Sequence, residues 1–456
     1  MTQIFALHSA YGLATATAAI DEGLLHPAGE SRERVLVPFV SSRVPETVVG
    51  IGVDPALASL RSRFDRIEDL DALLGPLHPS SWEPADADLP LLERLLVRAW
   101  GIDPDDLELF VQSPQVAPAR TLMSLFPRAR ITIVGDGLMT YSPMRVPLGH
   151  AVTARIGRVV HADVVPGVRP LVGGRHAVTV GIPPERFRAV LRETDAGEAL
   201  LDTTGAPLDD GIPTALVLGQ YLSALGLITA REEIALQRDL IDRALAWSPQ
   251  RVVFKPHPAA PPLHTDSIRE RALARGVEFA EYRGALAAEV LADRIDAVAV
   301  VAGFSTALPT VQALQGRPIG SVGTATLLAG LAPFENSNRI PLVIIDALTR
   351  SDSAFADPER LQLLIDAIGY AMQPEIAGHL RGRAERMLRE LRPADRDRYF
   401  SPTRLTALRL PGAPVEGALR RVLRSAGGTG RVEEWRLTAL GARRRAGRAW
   451  RAIRGR

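Results

Sequence analysis

Short apolar runs alternate with longer stretches of helical periodicity along most of the chain. The short runs are rich in β-branched and aromatic residues and end at Gly, Pro or polar positions, as buried strands do. The predicted strands are Ile4–Leu7, Val35–Val37, Leu107–Val111, Ile131–Val134, Ala215–Gly219, Val252–Phe254, Val277–Phe279, Ala297–Val301, Pro318–Val322 and Leu342–Ile345. The predicted helices are Leu13–Glu22, Pro118–Phe126, Ala230–Trp247, Leu308–Gln315, Pro358–Met372 and Glu375–Leu391. This alternation predicts a doubly wound α/β protein with parallel sheets.

A stretch rich in Gly, Asp and Thr, Asp195–Pro213, interrupts the alternation and has few periodic apolar positions. The 456 residues also exceed the size of one compact core. We therefore predict an N-terminal domain over residues 1–195, a C-terminal domain over residues 196–395 and an extension over residues 396–456. Two similar α/β domains that face each other leave a cleft between them.

Composition excludes several kinds of site. The chain has no cysteine, which excludes disulfides, thiolate-bound zinc, iron–sulfur clusters and a cysteine nucleophile. Its nine histidines show no HExxH spacing. No run reaches the roughly 18 apolar residues of a membrane span, and the first residues lack the basic region of a signal peptide. A cytoplasmic location is therefore expected.

The net charge of +2 hides an acidic body and a basic tail. Residues 420–456 contain 12 arginines and only two acidic residues, which leaves a charge of −8 for residues 1–419. Ala446, Trp450 and Ile453 share one helical face among the tail arginines, a pattern suited to the inner, anionic surface of a membrane. A solvated tail is the alternative. Nucleic-acid binding finds no support in an acidic body with 5% aromatic residues.

The first candidate site is Gly135-Asp136-Gly137, directly after the predicted strand Ile131–Val134. The two glycines allow a sharp turn and leave the Asp136 carboxylate uncrowded at the strand end. A substrate hydroxyl can reach a carboxylate so placed, which makes Asp136 a candidate general base. The alternative is an ordinary turn in which Asp136 caps the next helix.

The second candidate site contains the only lysine among the 54 basic residues, in Lys255-Pro256-His257-Pro258. The segment follows the predicted strand Val252–Phe254, and ligands of open α/β sheets bind at such strand ends. The prolines stiffen the backbone, so His257 is well placed to donate a proton to a leaving phosphate, with Lys255 adding charge. A rigid surface turn is the alternative.

A second His-Pro pair, His78-Pro79, lies in a loop-like region. It shows how readily the dipeptide arises, and we interpret it as structural or as a secondary contact of the cleft.

The third candidate site is Gly303-Phe304-Ser305-Thr306, between the strand Ala297–Val301 and a helix. Two adjacent hydroxyls at a helix N-terminus suit an anion, because free backbone N–H groups and the helix dipole point at the same place. Ser305 or Thr306 acting as a helix N-cap is the alternative, and the two roles can coexist.

Other strand-end loops face the same predicted cleft. His8, Ser9 and Tyr11 follow the first strand, and we interpret them as acceptor contacts or as a turn that starts a helix. The segment Gln112-Ser113-Pro114-Gln115 follows Leu107–Val111 with the same two interpretations. Gln220 follows Ala215–Gly219, where a nucleotide contact competes with plain packing.

Taken together and in this order, the three motifs resemble those of the bacterial GT-B sialyltransferases, particularly the polysialyltransferase-like group. That group carries a D/E-D/E-G segment, an HP segment and a paired-hydroxyl SS/ST segment. Here Gly135 stands at the first acidic position, so any role of that carboxylate is absent, whereas Ser305-Thr306 keeps both hydroxyls.

The resemblance implies a GT-B fold, with two Rossmann-like domains across a cleft, and an inverting transfer from a CMP-activated sialic or related nonulosonic acid. Asp136 then takes the acceptor proton, and His257 assists the departing phosphate. It further implies that the donor is bound by Lys255, Pro258, Gly303, Ser305, Thr306 and Gln220. The acceptor is met by His8, Ser9, Tyr11, Ser113, Gln115 and Gly137. No metal or other cofactor is expected, and cell-surface polysaccharide synthesis is the expected setting.

Three other classes of enzyme compete with this interpretation. A serine hydrolase would use Ser305 in a turn similar to G-x-S-x-G, but only His379 follows it along the chain. A nicotinamide enzyme would need a third glycine where Pro55 follows Gly50-Ile51-Gly52. A GT-B enzyme that uses a different nucleotide sugar remains the main alternative.

Overall fold

The computed structural model describes residues 1–25, 32–42, 49–224, 226–257 and 264–414. Residues 1–401 form one compact unit, and a second unit begins at Pro402. The predicted membrane-binding tail and Pro258 lie outside the described residues.

Seven parallel strands in the described residues form the first sheet, in the order β3-β2-β1-β4-β5-β6-β7. They are β1 (Thr2–Leu7), β2 (Glu33–Pro38), β3 (Arg66–Ile67), β4 (Leu107–Val111), β5 (Arg130–Val134), β6 (Ile156–Ala162) and β7 (Val178–Ile182). Every residue of β1 and β4 is buried. Strands of a parallel sheet are covered by helices on both faces, which is why burial is continuous along these two strands and does not alternate.

The second sheet contains five described parallel strands, in the order β10-β9-β8-β11-β12. They are β8 (Thr214–Leu218), β9 (Arg251–Lys255), β10 (Glu278–Glu281), β11 (Ala299–Ala302) and β12 (Ile319–Ser321). Each sheet has its own cluster of buried apolar side chains.

Helices cover both sheets. The first part of the chain contains α1 (Ala10–Asp21), α2 (Ala58–Arg61), α3 (Leu70–Leu74), α4 (Leu89–Trp100), α5 (Ala119–Leu125), α6 (His150–Thr153) and α7 (Pro184–Arg192). The second part contains α8 (Ala230–Ala244), α9 (His264–Ala274), α10 (Ala288–Arg294), α11 (Ala307–Gln315), α12 (Thr324–Gly330), α13 (Arg339–Thr349), α14 (Pro358–Met372), α15 (Arg381–Glu390) and α16 (Pro393–Tyr399). The unit that begins at Pro402 contains α17 (Pro402–Leu408). Within the described part of the chain, no helix is both long and apolar enough to cross a bilayer.

The predicted fold class, a doubly wound α/β protein with parallel sheets, is confirmed. One predicted strand, Leu342–Ile345, is wrong, because these residues lie inside α13. Nine consecutive residues of this helix, from Arg339 to Ala347, are buried. A helix that is apolar all round loses the 3.6-residue period, so a short apolar stretch of it cannot be told from a strand.

Two sets of contacts join the elements of the first sheet to those of the second. Helix α7 packs on both α1 and α11, and its Arg188 forms an ion pair of 2.6 Å with Asp293 of α10. Near the carboxyl edge of the first sheet, Ser142 Oγ donates a hydrogen bond of 2.9 Å to the backbone oxygen of Ser337. The elements of the two sheets therefore contact each other directly in two places.

Helix α13 also packs on the short 3₁₀ helix Gly137–Tyr141, which follows Asp136. Helix α13 is held in place by its residue Asp346, which is fully buried. This carboxylate accepts hydrogen bonds from Tyr399 Oη at 2.6 Å, Arg398 Nε at 2.8 Å and the hydroxyl of Thr324. Burial alone raises the pKa of Asp346, but these hydrogen bonds outweigh it and hold the pKa below its usual value.

Replacing Asp346 by alanine should lower the free energy of unfolding at pH 7 by about 3–5 kcal/mol, because the half-buried Arg398 charge and the buried Tyr399 hydroxyl lose their shared partner. The pKa of Asp346 is depressed in the folded protein, so its contribution is complete above about pH 4 and is lost as the pH falls further. The stability difference between wild type and D346A should shrink accordingly in urea unfolding at acidic pH. Asp352→Ala, which breaks an exposed ion pair with Arg350, is the control and should cost less than about 1 kcal/mol.

Candidate functional site

The loops that follow β1, β4 and β5 meet at the carboxyl edge of the first sheet, because these strands are parallel neighbours. They carry His8 and Ser9 after β1, Gln112 and Ser113 after β4, and Asp136 after β5. Part of the predicted acceptor side of the site is therefore assembled by the sheet order itself.

The buried amide of Gln112 holds two of these loops together. Its Oε1 accepts hydrogen bonds from the backbone N–H groups of His8, at 3.1 Å, and Ser9, at 3.3 Å. Its Nε2 donates to Ser9 Oγ at 2.7 Å. Sequence reasoning considered Gln112 only as part of the segment Gln112–Gln115, an acceptor contact or a turn, and missed that it holds two loops together. The available signal was a polar residue that directly follows a buried strand, where a buried amide must find partners.

The hydroxyl of Ser9 connects this amide to Asp136. Ser9 Oγ accepts from the Gly12 N–H, at 3.0 Å, and from Gln112, so both of its lone pairs are occupied. Its single proton points to Asp136 Oδ1, at 3.5 Å. The predicted helix-starting role of Ser9 is also present, since it is the N-cap of α1.

Asp136 is half-buried and its side chain does not cap the following 3₁₀ helix. Instead the Asp136 N–H donates to Thr140 Oγ1 at 2.7 Å. Gly137 has φ +53°, a left-handed conformation that glycine adopts readily, and this turn directs the chain away from the carboxylate. The Asp136 carboxylate thus stays at the strand end rather than folding back onto the helix.

Gly135, which stands at the first acidic position of the motif, has no room for a side chain. A Cβ there would lie 2.8 Å from the Cβ of His161 and 2.9 Å from Thr140 Oγ1. The departure from the D/E-D/E-G pattern is therefore accommodated by packing, and Asp136 is the one carboxylate that this motif supplies.

A cavity of about 140 Å³ opens beside Asp136. Its wall includes Ser113, Gln115, Thr140 and Arg145 from the first half of the chain and Ser337 from the second. The Gln115 side chain is engaged in this wall, where its Oε1 accepts from the backbone N–H groups of Arg145 and Val146. Gln115 shapes the cavity through the backbone that it holds.

The imidazole of His8 lies between two serine hydroxyls. Its Nε2 is 3.0 Å from Ser113 Oγ and its Nδ1 is 3.2 Å from Ser41 Oγ, and the ring packs against Phe39 with centroids 5.3 Å apart. Burial lowers the pKa of His8, while the negative charge of Asp136 acts in the opposite direction. His8 is therefore neutral near pH 7.

The predicted donor residues lie at the carboxyl edge of the second sheet. Gln220 Oε1 accepts a hydrogen bond from the Phe304 N–H, so its side chain organises the loop around Gly303. Ser305 Oγ accepts a long hydrogen bond from the Ala307 N–H, at 3.3 Å. Ser305 therefore contributes weakly to capping the helix, which was the alternative role predicted for it. The Thr306 side chain is exposed and makes no capping bond.

Lys255 ends β9 and holds the neighbouring loop. Its Nζ donates to the backbone oxygen of Gly284 at 2.9 Å and lies 5.0 Å from the ring centroid of Tyr282. Burial lowers the pKa of Lys255, and the charge of Glu289 opposes this shift. His257 follows at the exposed end of the segment, directly before the undescribed residues that include Pro258.

Tyr11 connects the two halves of the site. Its ring packs on Phe187 of α7, with centroids 5.0 Å apart, and lies beside Gly137. Burial raises the pKa of the Tyr11 hydroxyl well above its usual value, the charge of Glu289 acts in the same direction, and the Thr310 hydroxyl opposes them. Thr310 in turn donates to the backbone oxygen of Thr306 at 3.0 Å.

Glu289, in the first turn of α10, is a second residue that sequence reasoning missed. Burial raises the pKa of Glu289, and the nearby charge of Lys255 lowers it in part. It lies in an ordinary amphipathic helix, so no local pattern marked it. Within the described residues, no group of three or more His, Asp or Glu side chains is placed to hold a metal ion.

Several solved structures are similar to this chain at low sequence identity. The structure of S. aureus MnaA with UDP is 12% identical, with a TM-score of 0.37, and the match covers 82% of this chain and 97% of that one. A UDP-N-acetylglucosamine 2-epimerase is 10% identical, with a TM-score of 0.40 and coverage of 85% and 95%. The E. coli heptosyltransferase WaaC with ADP-2-deoxy-2-fluoro heptose is 16% identical, with a TM-score of 0.25 and coverage of 70% and 88%.

No curated protein sequence matches the chain significantly. A family model does: the model described as Alpha-2,8-polysialyltransferase (POLYST) matches residues 3–320. This range contains Asp136, His257, Ser305 and Thr306, together with the loops that carry them.

Gly12→Ala should destabilise the protein by about 1–3 kcal/mol, because the new Cβ would lie 2.4 Å from Gln112 Oε1 and would displace the buried amide. Urea unfolding measures the change. Gly382→Ala is the matched control, since a Cβ at that position in α15 meets nothing within 4 Å. The control should be neutral or slightly stabilising. Equal stability of the two variants would contradict the role assigned to Gln112.

Proposed function

We propose that this chain, which belongs to the alpha-2,8-polysialyltransferase family and is therefore a glycosyltransferase, transfers a sialic or related nonulosonic acid from a CMP-activated donor to a glycan hydroxyl. The predicted membership of the polysialyltransferase group is confirmed by the family match. The donor, the inverting course of the reaction and the residue roles that follow are part of the proposal.

The observation that carries the proposal is the position of Asp136. Its carboxylate lies at a strand end in the wall of a cavity, and one of its oxygens accepts a hydrogen bond from the Ser9 hydroxyl. Within the described residues, its other oxygen has no hydrogen-bond donor. An acceptor hydroxyl that enters the cavity can donate to that oxygen, which is the contact that a general base requires.

In the proposed reaction, the acceptor oxygen attacks the anomeric carbon of the donor while the bond from that carbon to the CMP phosphate breaks. CMP leaves with the bonding electrons, and Asp136 receives the acceptor proton. His257 donates a proton or a hydrogen bond to the phosphate oxygen as negative charge accumulates on it. Interactions that strengthen as the charge develops lower the barrier more than those already complete in the ground state.

The donor contacts are proposed for the second sheet. The Thr306 side chain is exposed directly before α11, and its hydroxyl can bind the donor phosphate or carboxylate, while Ser305 is shared with the Ala307 N–H. Lys255 is already bound to the loop around Gly284. Its proposed role is to hold that loop and to add positive charge near His257, rather than to bind the phosphate directly.

Asp136→Asn should lower kcat/KM by about 10²–10⁴-fold, since the amide cannot accept the acceptor proton. His257→Ala should lower it by about 10²–10³-fold through loss of a hydrogen bond to the leaving phosphate. Release of CMP from a CMP-nonulosonic acid is the measurement, and unchanged thermal unfolding shows that each variant is folded. Wild-type activity in either variant removes the role given to that residue.

An assay that measures release of any nucleotide by the wild-type protein separates the donor classes. We expect turnover with a CMP-nonulosonic acid and none with UDP- or GDP-sugars. Turnover with a UDP- or GDP-sugar alone would instead support a glycosyltransferase that uses another nucleotide sugar.

The proposal extends to cell-surface polysaccharide synthesis on the cytoplasmic side of a membrane, to which the basic tail would attach the enzyme. Replacing Arg443, Arg444 and Arg445 by glutamine removes three positive charges. At about 1 kcal/mol for each basic residue near an anionic surface, affinity for vesicles containing phosphatidylserine should fall by roughly 100-fold. Flotation measures it, with zwitterionic vesicles as the control. Equal flotation of both proteins would contradict attachment through these arginines.

A further inference from the structure

Ser113 has an unusual backbone. Its φ is +55°, in the left-handed region that residues with a side chain rarely adopt. Four described residues other than glycine have a positive φ: Ser113, Ser248, Asp296 and Arg409. Ser248 and Asp296 precede β9 and β11, at the amino edge of the second sheet. Of these four, Ser113 alone lines the cavity beside Asp136.

Glycine would adopt this conformation at lower cost than serine. At Ser113 the strained backbone places a hydroxyl in the wall of the cavity beside Asp136. Within the described residues, that hydroxyl has one recorded partner, His8 Nε2 at 3.0 Å.

His8 is itself held in a fixed orientation. Its Nδ1 faces the Ser41 hydroxyl, its ring packs on Phe39, and its backbone N–H is bound by Gln112. A neutral imidazole has one donor and one acceptor nitrogen. We assign the proton to Nδ1, so that Nδ1 donates to Ser41 and Nε2 accepts from Ser113. The two lone pairs of Ser113 Oγ then remain for a ligand.

We propose that Ser113 is a binding residue for the acceptor sugar and that His8 is its positioning residue. Ser113 Oγ accepts a hydrogen bond from a hydroxyl adjacent to the attacking one, which aligns the attacking hydroxyl with Asp136. The inference rests on the proposed glycosyl transfer and adds to it a specific contact on the acceptor side.

Protonation of His8 would reverse this arrangement. Imidazolium Nε2 donates, so it occupies one of the two lone pairs of Ser113 Oγ and the Ser113 proton must turn into the cavity. Only one acceptor site is then left for the sugar hydroxyl, and the Ser113 proton competes for the same space. Asp136 is the charged group that the imidazole faces from β5. Asp71 and His78 bind the adjacent backbone, at the Val40 N–H and the Ser42 oxygen. Because burial lowers the pKa of His8, the change belongs below the usual range of histidine.

The test measures transfer from CMP-sialic acid to a labelled oligomer of α-2,8-linked sialic acid. Ser113→Gly removes the hydroxyl and relieves the backbone, so its melting temperature should equal or exceed that of wild type. Its KM for the oligomer should rise by roughly 10-fold, the effect of one lost hydrogen bond, with the donor KM unchanged. Ser248→Gly makes the same change at another serine whose backbone is in the left-handed region, and it should keep the wild-type kinetics.

His8 is tested by a pair of variants. His8→Ala should raise the KM for the oligomer as Ser113→Gly does. His8→Gln retains an oxygen that can accept from Ser113 and does not titrate. Its KM should stay near the wild-type value at neutral pH. On acidification the KM of His8→Gln should stay constant, whereas the KM of the wild-type protein should rise.

The outcomes separate this inference from the proposed function. No CMP release by the wild-type protein would remove the proposed donor. Normal wild-type turnover with an unchanged oligomer KM in Ser113→Gly would overturn the role of Ser113 alone. A lower melting temperature of Ser113→Gly would refute the strain argument, and the inference with it.

Discussion

Every strand in the two sheets runs parallel to its neighbours. Parallel strands require a crossover after each strand, so all carboxyl ends of a sheet lie on one edge and all the loops that follow them are neighbours. The proposed site depends on this constraint. It brings His8, Ser113 and Asp136 together although more than a hundred residues separate the first from the others.

Within that frame, the first half of the site is held by a buried amide rather than by charges. Gln112 binds the loop after β1 and leaves the Ser9 hydroxyl with a single direction for its proton, toward Asp136. Buried hydrogen bonds are worth most when every partner is satisfied, and such a network fixes geometry before a ligand arrives. Next to this network there is no room for a side chain at Gly12 or Gly135, because a Cβ at either position would collide with neighbouring atoms.

In the second half of the site, the isolated lysine indicated the strand end that carries the predicted donor residues, but it did not indicate the group that this lysine contacts. The only lysine of the chain stands beside His257, and its isolation among arginines pointed to a phosphate. In the fold its ammonium instead bonds the Gly284 backbone oxygen over the ring of Tyr282. A compact ammonium fits between a carbonyl and an aromatic face where a planar guanidinium would need more space. Glu289, which carried no sequence signal, lies close enough to the ammonium to oppose the effect of burial on the pKa of Lys255.

The sequence by itself determined the fold class, most of the strands and the order of the three motifs, because strand ends are marked by local changes from apolar runs to Gly, Pro and polar residues. It failed at Leu342–Ile345, since a helix buried on all sides has no period to read. Only the tertiary structure decided which strand ends are neighbours, which hydroxyls are already occupied, and that Ser113 has a left-handed backbone. These properties arise from contacts between residues far apart in the chain, and no local pattern encodes them.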